Sequence, residues 1–166
     1  FDSLPEADVE FEPLGADDPA YLQYTSGSTS FPRGVEVTQK TVLNNLMEIA
    51  RYGLKLSAKD RFVSWLPFYH DMGLVGFILV PLIGQLSVDY LGSRTFAMRP
   101  RLWLKILSDN GGTISSAPTF GYALCAKRLR PADVESYDLS NWRAACVGAE
   151  RINPEPLEEF AAILQP

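Results

Sequence analysis

Histidine and cysteine are nearly missing from this 166-residue sequence: His70 is the one imidazole, and Cys125 and Cys146 are the two thiols. No Cys-x-x-Cys pair occurs, so the chain is read as holding no structural zinc and no metal site built from its own side chains. Both cysteines lie in apolar stretches and read as buried thiols of a reducing compartment, with a disulfide between them left open. Long apolar runs are missing too. The most apolar segment, Met72 to Ile83, has 12 residues, whereas a membrane span needs about 20. It reads as a buried helix. The start is acidic and no early apolar core follows it, so no secretory signal is visible and a cytoplasmic location is expected. Basic residues are absent from residues 1–18, which carry seven acids (Asp2, Glu6, Asp8, Glu10, Glu12, Asp17 and Asp18). The formal charge of -5 therefore hides a body of 13 acids and 15 bases, about +2. That body tolerates an anionic ligand but is not basic enough for a nucleic-acid surface. An initiator Met is also missing, and the chain is taken as an excised piece.

What is present fits one globular unit, with 46% apolar and 21% charged residues. Residues 1–19 read as an acidic, linker-like lead-in, broken by Pro5, Pro13, Gly15 and Pro19. From Ala20 short apolar runs alternate with helical patterns. Strands are predicted at Tyr21–Tyr24, Val35–Val37, Phe62–Leu66, Leu86–Leu91, Thr113–Ser116 and Arg143–Val147. Helices are predicted after Thr38, ending at Gly53; from Asp71 as cap to Gly84; from Pro100 to Asn110, with Trp103, Ile106 and Leu107 on one face; from Pro118 to Arg128; and from Pro154 onward. The helix from Asp71 has no polar face, which predicts burial against a sheet. Strict alternation of strands and helices predicts an α/β fold with a mainly parallel, doubly wound sheet.

One loop carries the chemistry. Thr25-Ser26-Gly27-Ser28-Thr29-Ser30 crowds hydroxyls and a glycine directly behind a strand. Small residues let backbone N–H groups approach an anion, hydroxyls add donors, and Arg33 supplies a charge. By residue type alone the segment is either an anion-binding turn or a plain surface loop. Six residues separate Gly27 from Gly34 and Val35 follows, so it is not a Walker P-loop; the Gly-x-Gly-x-x-Gly fingerprint is absent as well.

With its neighbours, the loop acquires a family likeness. Tyr24-Thr25-Ser26-Gly27-Ser28-Thr29, followed by Pro32 and Gly34-Val35, resembles the phosphate loop of the adenylate-forming superfamily. Trp65-Leu66-Pro67-Phe68-Tyr69-His70-Asp71-Met72-Gly73-Leu74 resembles that superfamily's second core motif in its fatty acyl-AMP ligase form. Gly148-Ala149-Glu150 resembles the loop bordering the adenine and acyl pockets, and Ser116-Ala117-Pro118-Thr119-Phe120-Gly121-Tyr122 the segment along the acyl site. The likeness covers most of the chain from Ala20, and three motifs fall in the right order. It departs at Ser30 (commonly Gly), Arg33 (commonly Lys, a point charge where Arg is a planar fork) and Gln39 (often His).

The resemblance implies a portion of the large AMP-binding domain, incomplete at both ends, in which residues 20–166 form the α/β part. It implies ATP and Mg2+ as cofactors, a fatty acid as substrate, and CoA or an acyl carrier protein as acceptor. Thr25, Ser26, Gly27, Ser28, Thr29 and Arg33 would hold the phosphates; Gly148, Ala149 and Glu150 would border the nucleotide. Pro118, Thr119, Phe120, Gly121 and Tyr122 would line the acyl site, and His70 would help position the carboxylate. Each has a plainer reading. His70 could satisfy a buried helix start beside Asp71, and Glu150 by type alone could be a metal ligand or base. Trp65, Trp103 and Trp142 suit core packing, and Lys127, Arg128 and Arg130 suit a helix C-terminus. A Ser-His-Asp hydrolase lacks its Gly-x-Ser-x-Gly elbow here. Two functions are carried forward: an acid-activating ligase whose 166-residue piece is inactive alone, and a non-catalytic nucleotide-binding or scaffold module.

Overall fold

A computed structural model describes residues 11–25 and 31–164. The chain divides into two compact units, residues 1–45 and residues 46–166.

In the first unit, β1 (Pro19–Thr25) and β2 (Arg33–Thr38) pair antiparallel, with Tyr24 opposite Gly34 and Thr25 opposite Arg33. Strict alternation of strand and helix therefore fails here, because the intervening loop is short enough to return the chain alongside itself. Helix α1 (Gln39–Glu48) follows at once. Its first N–H groups are satisfied from outside the helix: Gln39 donates to Asp18 O (2.9 Å), Lys40 to Ala16 O (2.8 Å) and Thr41 to Thr38 Oγ1 (3.3 Å). Thr38 is thus the predicted cap, and the turn at residues 15–18 supplies the rest. Past Glu48 the helix widens into one π-helical turn, Ile49–Gly53, with Leu54 N–H bonded to Ile49 O.

The second unit is built on four parallel strands of four residues each: β3 (Arg61–Ser64), β4 (Ser87–Tyr90), β5 (Ile114–Ala117) and β6 (Ala144–Val147). Their order across the sheet is β4-β3-β5-β6. Helical segment α2 (Asp71–Leu74), a π-helical stretch (Val75–Leu79) and α3 (Val80–Ile83) join β3 to β4. Between β4 and β5 come α4 (Ser93–Met98) and α5 (Arg101–Asn110); between β5 and β6 come α6 (Thr119–Arg128) and α7 (Pro131–Ser136). Helix α8 (Pro154–Leu164) follows β6. Sequence periodicity does not reveal α4 or α7, since six residues are under two turns and too few to show a period.

Helices cover both faces, as a doubly wound sheet requires. On one face Phe62 meets Phe77 edge-on (5.7 Å, 81°). Val63 and Trp65 point the other way, where Trp103 of α5 is completely buried among Trp65, Phe96, Tyr122, Trp142 and Phe160. Its indole N–H is satisfied by Ser115 Oγ (2.7 Å), which in turn donates to Val63 O (2.5 Å). Leu104, rather than the expected Ile106, joins Trp103 and Leu107 in the core. Gly111, left-handed at φ 63°, ends α5 as expected.

The helix over Asp71–Ile83 corrects two expectations. Its cap is His70, whose Nδ1 accepts the Met72 N–H at 3.3 Å, and Asp71 sits in the first turn where its charge suits the dipole. Nor is it buried all round: Phe77, Val80 and Pro81 are buried, but Leu82 is 70% exposed.

At the opposite end of the sheet, buried Asp60 receives a two-pronged contact from Arg143 (Nε 2.8 Å, Nη2 2.9 Å), with Ser57 N–H and Thr113 Oγ1 completing its shell. The Arg143 guanidinium holds the Asp60 carboxyl well below the usual carboxylate range.

Candidate functional site

Strand order locates the site. The chain leaves β3 toward β4 on one side, and leaves β5 toward β6 on the other. Adjacent parallel strands whose connections diverge leave a crevice outside their carboxyl ends, the usual ligand position in an open α/β sheet. Around it lie residues 65–72 after β3, Pro118 and the start of α6 after β5, and residues 148–153 after β6.

Contacts tie these segments together. Ser116 Oγ lies 3.3 Å from Met72 Sδ and 3.1 Å from Cys146 O, joining β5 to the helix after β3 and to β6. A Cβ on Gly148 would stand 3.6 Å from the same sulfur. Met72 and Ser116 belong to the motif segments Trp65–Leu74 and Ser116–Tyr122, but residue type alone gives neither a role. The signal in the sequence is a hydroxyl pair, Ser115-Ser116, at the end of a predicted strand; the structure buries both.

His70 is exposed, so the reading that places it at a buried helix start is corrected. Because Nδ1 accepts from Met72, the neutral ring carries its proton on Nε2. Nε2 has no hydrogen-bond partner among the described residues. Gly73, three residues on, is obligatory: a Cβ there would come within 2.2 Å of Pro67 O.

Of the five residues Pro118–Tyr122, Phe120 presents an exposed side chain (54%), and its ring meets Trp65 at 5.9 Å. Thr119 is buried with its hydroxyl unpartnered, as is the Trp65 indole N–H. Gly121 admits the Trp65 ring, since a Cβ there would lie 2.7 Å from Cζ2. Tyr122 belongs to the core, and its hydroxyl donates to Cys146 O at 2.8 Å. Glu150 Oε1 accepts the Phe120 N–H at 3.1 Å. Ala149 before it is left-handed, φ 67°.

Both cysteines are free thiols, and burial pushes Cys125 up to about 12 and raises Cys146 as well. Among the described residues no group of three or more His, Cys, Asp or Glu side chains could hold a metal ion. No described helix is long and apolar enough to cross a membrane.

In the first unit, Thr25 and Arg33 are the last paired residues at the loop end of the hairpin, and the Thr25 hydroxyl donates to Arg33 O (3.4 Å). Both are exposed. Ser26, Gly27, Ser28 and Thr29 lie outside the described residues.

Known proteins resemble this chain in sequence and fold. The family profile described as AMP-binding enzyme matches residues 2–166. A Caulobacter vibrioides relative, provisionally named an acyl-CoA synthetase, is 46% identical over 164 residues, covering 98% of this chain and 29% of its own. A solved structure from work on fatty acyl-adenylate ligases of E. coli and L. pneumophila is 56% identical with a TM-score of 0.90, over 98% of this chain and 30% of that one. The L. pneumophila fatty acyl-adenylate ligase in complex with acyl adenylate and pyrophosphate is 39% identical with a TM-score of 0.84, over 92% of this chain and 27% of that one. The chain belongs to the AMP-binding enzyme family and spans less than a third of the length of these relatives.

Proposed function

We propose that this chain is part of a ligase that activates fatty acids with ATP, forming an acyl-adenylate and releasing pyrophosphate. The observation that carries the reading is the convergence of three motif segments on one crevice: Met72, Ser116 and Gly148 meet there, with Phe120 and Glu150 bonded beside them. In the reaction a carboxylate oxygen bonds to the α-phosphorus while the bond to the β-phosphate oxygen breaks. The protein's part is to hold the two reactants in line and to neutralise growing charge.

His70 would direct its Nε2–H toward the substrate carboxylate or the phosphate it attacks, with Nδ1 held by Met72. Phe120 would wall the acyl chain. The backbone of Gly148–Glu150 would border the adenosine. Thr25, Ser26, Gly27, Ser28, Thr29 and Arg33 would take the β- and γ-phosphates, on the strength of the family likeness. Mg2+ would be held chiefly by phosphate oxygens, whose charge it offsets. The acyl group would then pass to CoA or to a carrier-protein thiol.

Hydroxylamine converts acyl-adenylates to hydroxamates, so the test is ATP-dependent acyl-hydroxamate formation by the full-length enzyme across fatty-acid chain lengths. Adding CoA or a carrier protein in parallel identifies the acceptor. ATP binding with no hydroxamate at any length would favour a non-catalytic nucleotide-binding module.

A further inference from the structure

Helix α6 starts without a cap of its own. Pro118 holds the N-cap position with no side-chain oxygen to offer, and Thr119 follows with its hydroxyl buried and unpartnered. The first N–H groups of a helix have no partners within it, and a carboxylate placed there gains both a hydrogen bond and the favourable end of the helix dipole. Here the carboxylate comes from 30 residues downstream, where Glu150 Oε1 accepts the Phe120 N–H at 3.1 Å. Gly121 N–H turns back to Pro118 O at 2.9 Å. The loop achieves this with Ala149 in the left-handed region, φ 67°, which side chains other than glycine seldom adopt.

We infer that Glu150 is a positioning residue: its side chain ties the loop leaving β6 to the start of α6. It thereby fixes together the wall given to adenosine and the wall given to the acyl chain. The inference rests on the proposed function and sharpens it, because Glu150 Oε1 is engaged by α6 and the side chain is thereby given a structural task beside the nucleotide wall. The tie sets where Phe120 stands, since the bonded N–H is its own.

The test uses the full-length enzyme with Glu150→Ala, Glu150→Gln and Glu150→Asp. Acyl-hydroxamate kinetics give KM for fatty acid and for ATP, and hydrogen exchange follows the amides at the start of α6. Loss of a charge-assisted hydrogen bond should raise the fatty-acid KM about tenfold or more in Glu150→Ala, with kcat changed less. Exchange at the start of α6 should quicken by a similar factor. Glu150→Gln, whose amide oxygen reaches the same N–H, should recover most of both effects. Glu150→Asp, one methylene shorter, should not. A rise in the ATP KM alone would make Glu150 a direct nucleotide contact and overturn the tie, as would unchanged exchange or a Gln variant no better than Ala. If the unsubstituted enzyme forms no hydroxamate, the proposed function fails, while exchange still decides whether the tie exists.

Discussion

At position 73 the requirement is steric. The nearest atom to an added Cβ would be the Pro67 carbonyl oxygen, at 2.2 Å, and backbone cannot swing aside as a side-chain tip can. Gly73→Ala should therefore cost about 2–3 kcal/mol and displace the turn bearing His70. Denaturant unfolding and hydroxamate assays on the same variant check both effects. Asp60 gives a second residue-scale expectation. Its carboxyl is held far below the ordinary range by Arg143, so its contribution is complete above the unfolded-state value of about 4 and fades as pH falls through the folded value. Asp60→Asn should lose about 2–3 kcal/mol at neutral pH and flatten the acid limb of the stability profile, because Arg143 then lacks its charge partner. A pH series of urea titrations would show it.

Among the elements, the helix over Asp71–Ile83 shows how far a sequence can be read. Its end at Gly84 and its apolar character are legible, but its cap and its π-helical middle are not. The cause is Pro81, which has no N–H for the Phe77 carbonyl four residues back and whose ring crowds it. The wider turn relieves that crowding, and the Tyr90 hydroxyl from β4 donates to Phe77 O at 2.6 Å. Tyr90→Phe should cost about 1–2 kcal/mol by leaving that carbonyl unpartnered, and less in a Pro81→Ala background where a backbone N–H returns. A double-mutant cycle measures the difference. The His70 cap was hidden for another reason: Asp, the commoner capping residue, stands next to it, and only the extended backbone of His70 (φ -116°, ψ 142°) decides between them.

For the molecule as a whole, the parallel sheet and its longer helices follow from apolar periodicity, and the segments at Trp65–Leu74, Ser116–Tyr122 and Gly148–Glu150 fall at or just beyond the carboxyl ends of β3, β5 and β6. Strand order does not follow. Nothing local in Phe62–Ser64 or Ile114–Ala117 says that these strands are neighbours, yet that adjacency creates the crevice. Long-range pairs such as Ser116 with Met72 and Phe120 with Glu150 are likewise products of topology. The antiparallel hairpin escaped the reading because β1 and β2 each look like ordinary strands of an alternating fold. The 166-residue chain by itself should show no ATP–pyrophosphate exchange, since catalysis is proposed for the longer enzyme. Exchange by the isolated chain would show that its own residues suffice.

The most direct measurement is fatty-acid-dependent acyl-hydroxamate formation by the full-length enzyme, compared with its His70→Ala variant. The account expects ATP-dependent hydroxamate with the natural residue and a fall of about 10–100-fold in kcat/KM in the variant. Hydroxamate formed equally well without His70, or no hydroxamate from an enzyme that binds ATP, would contradict it.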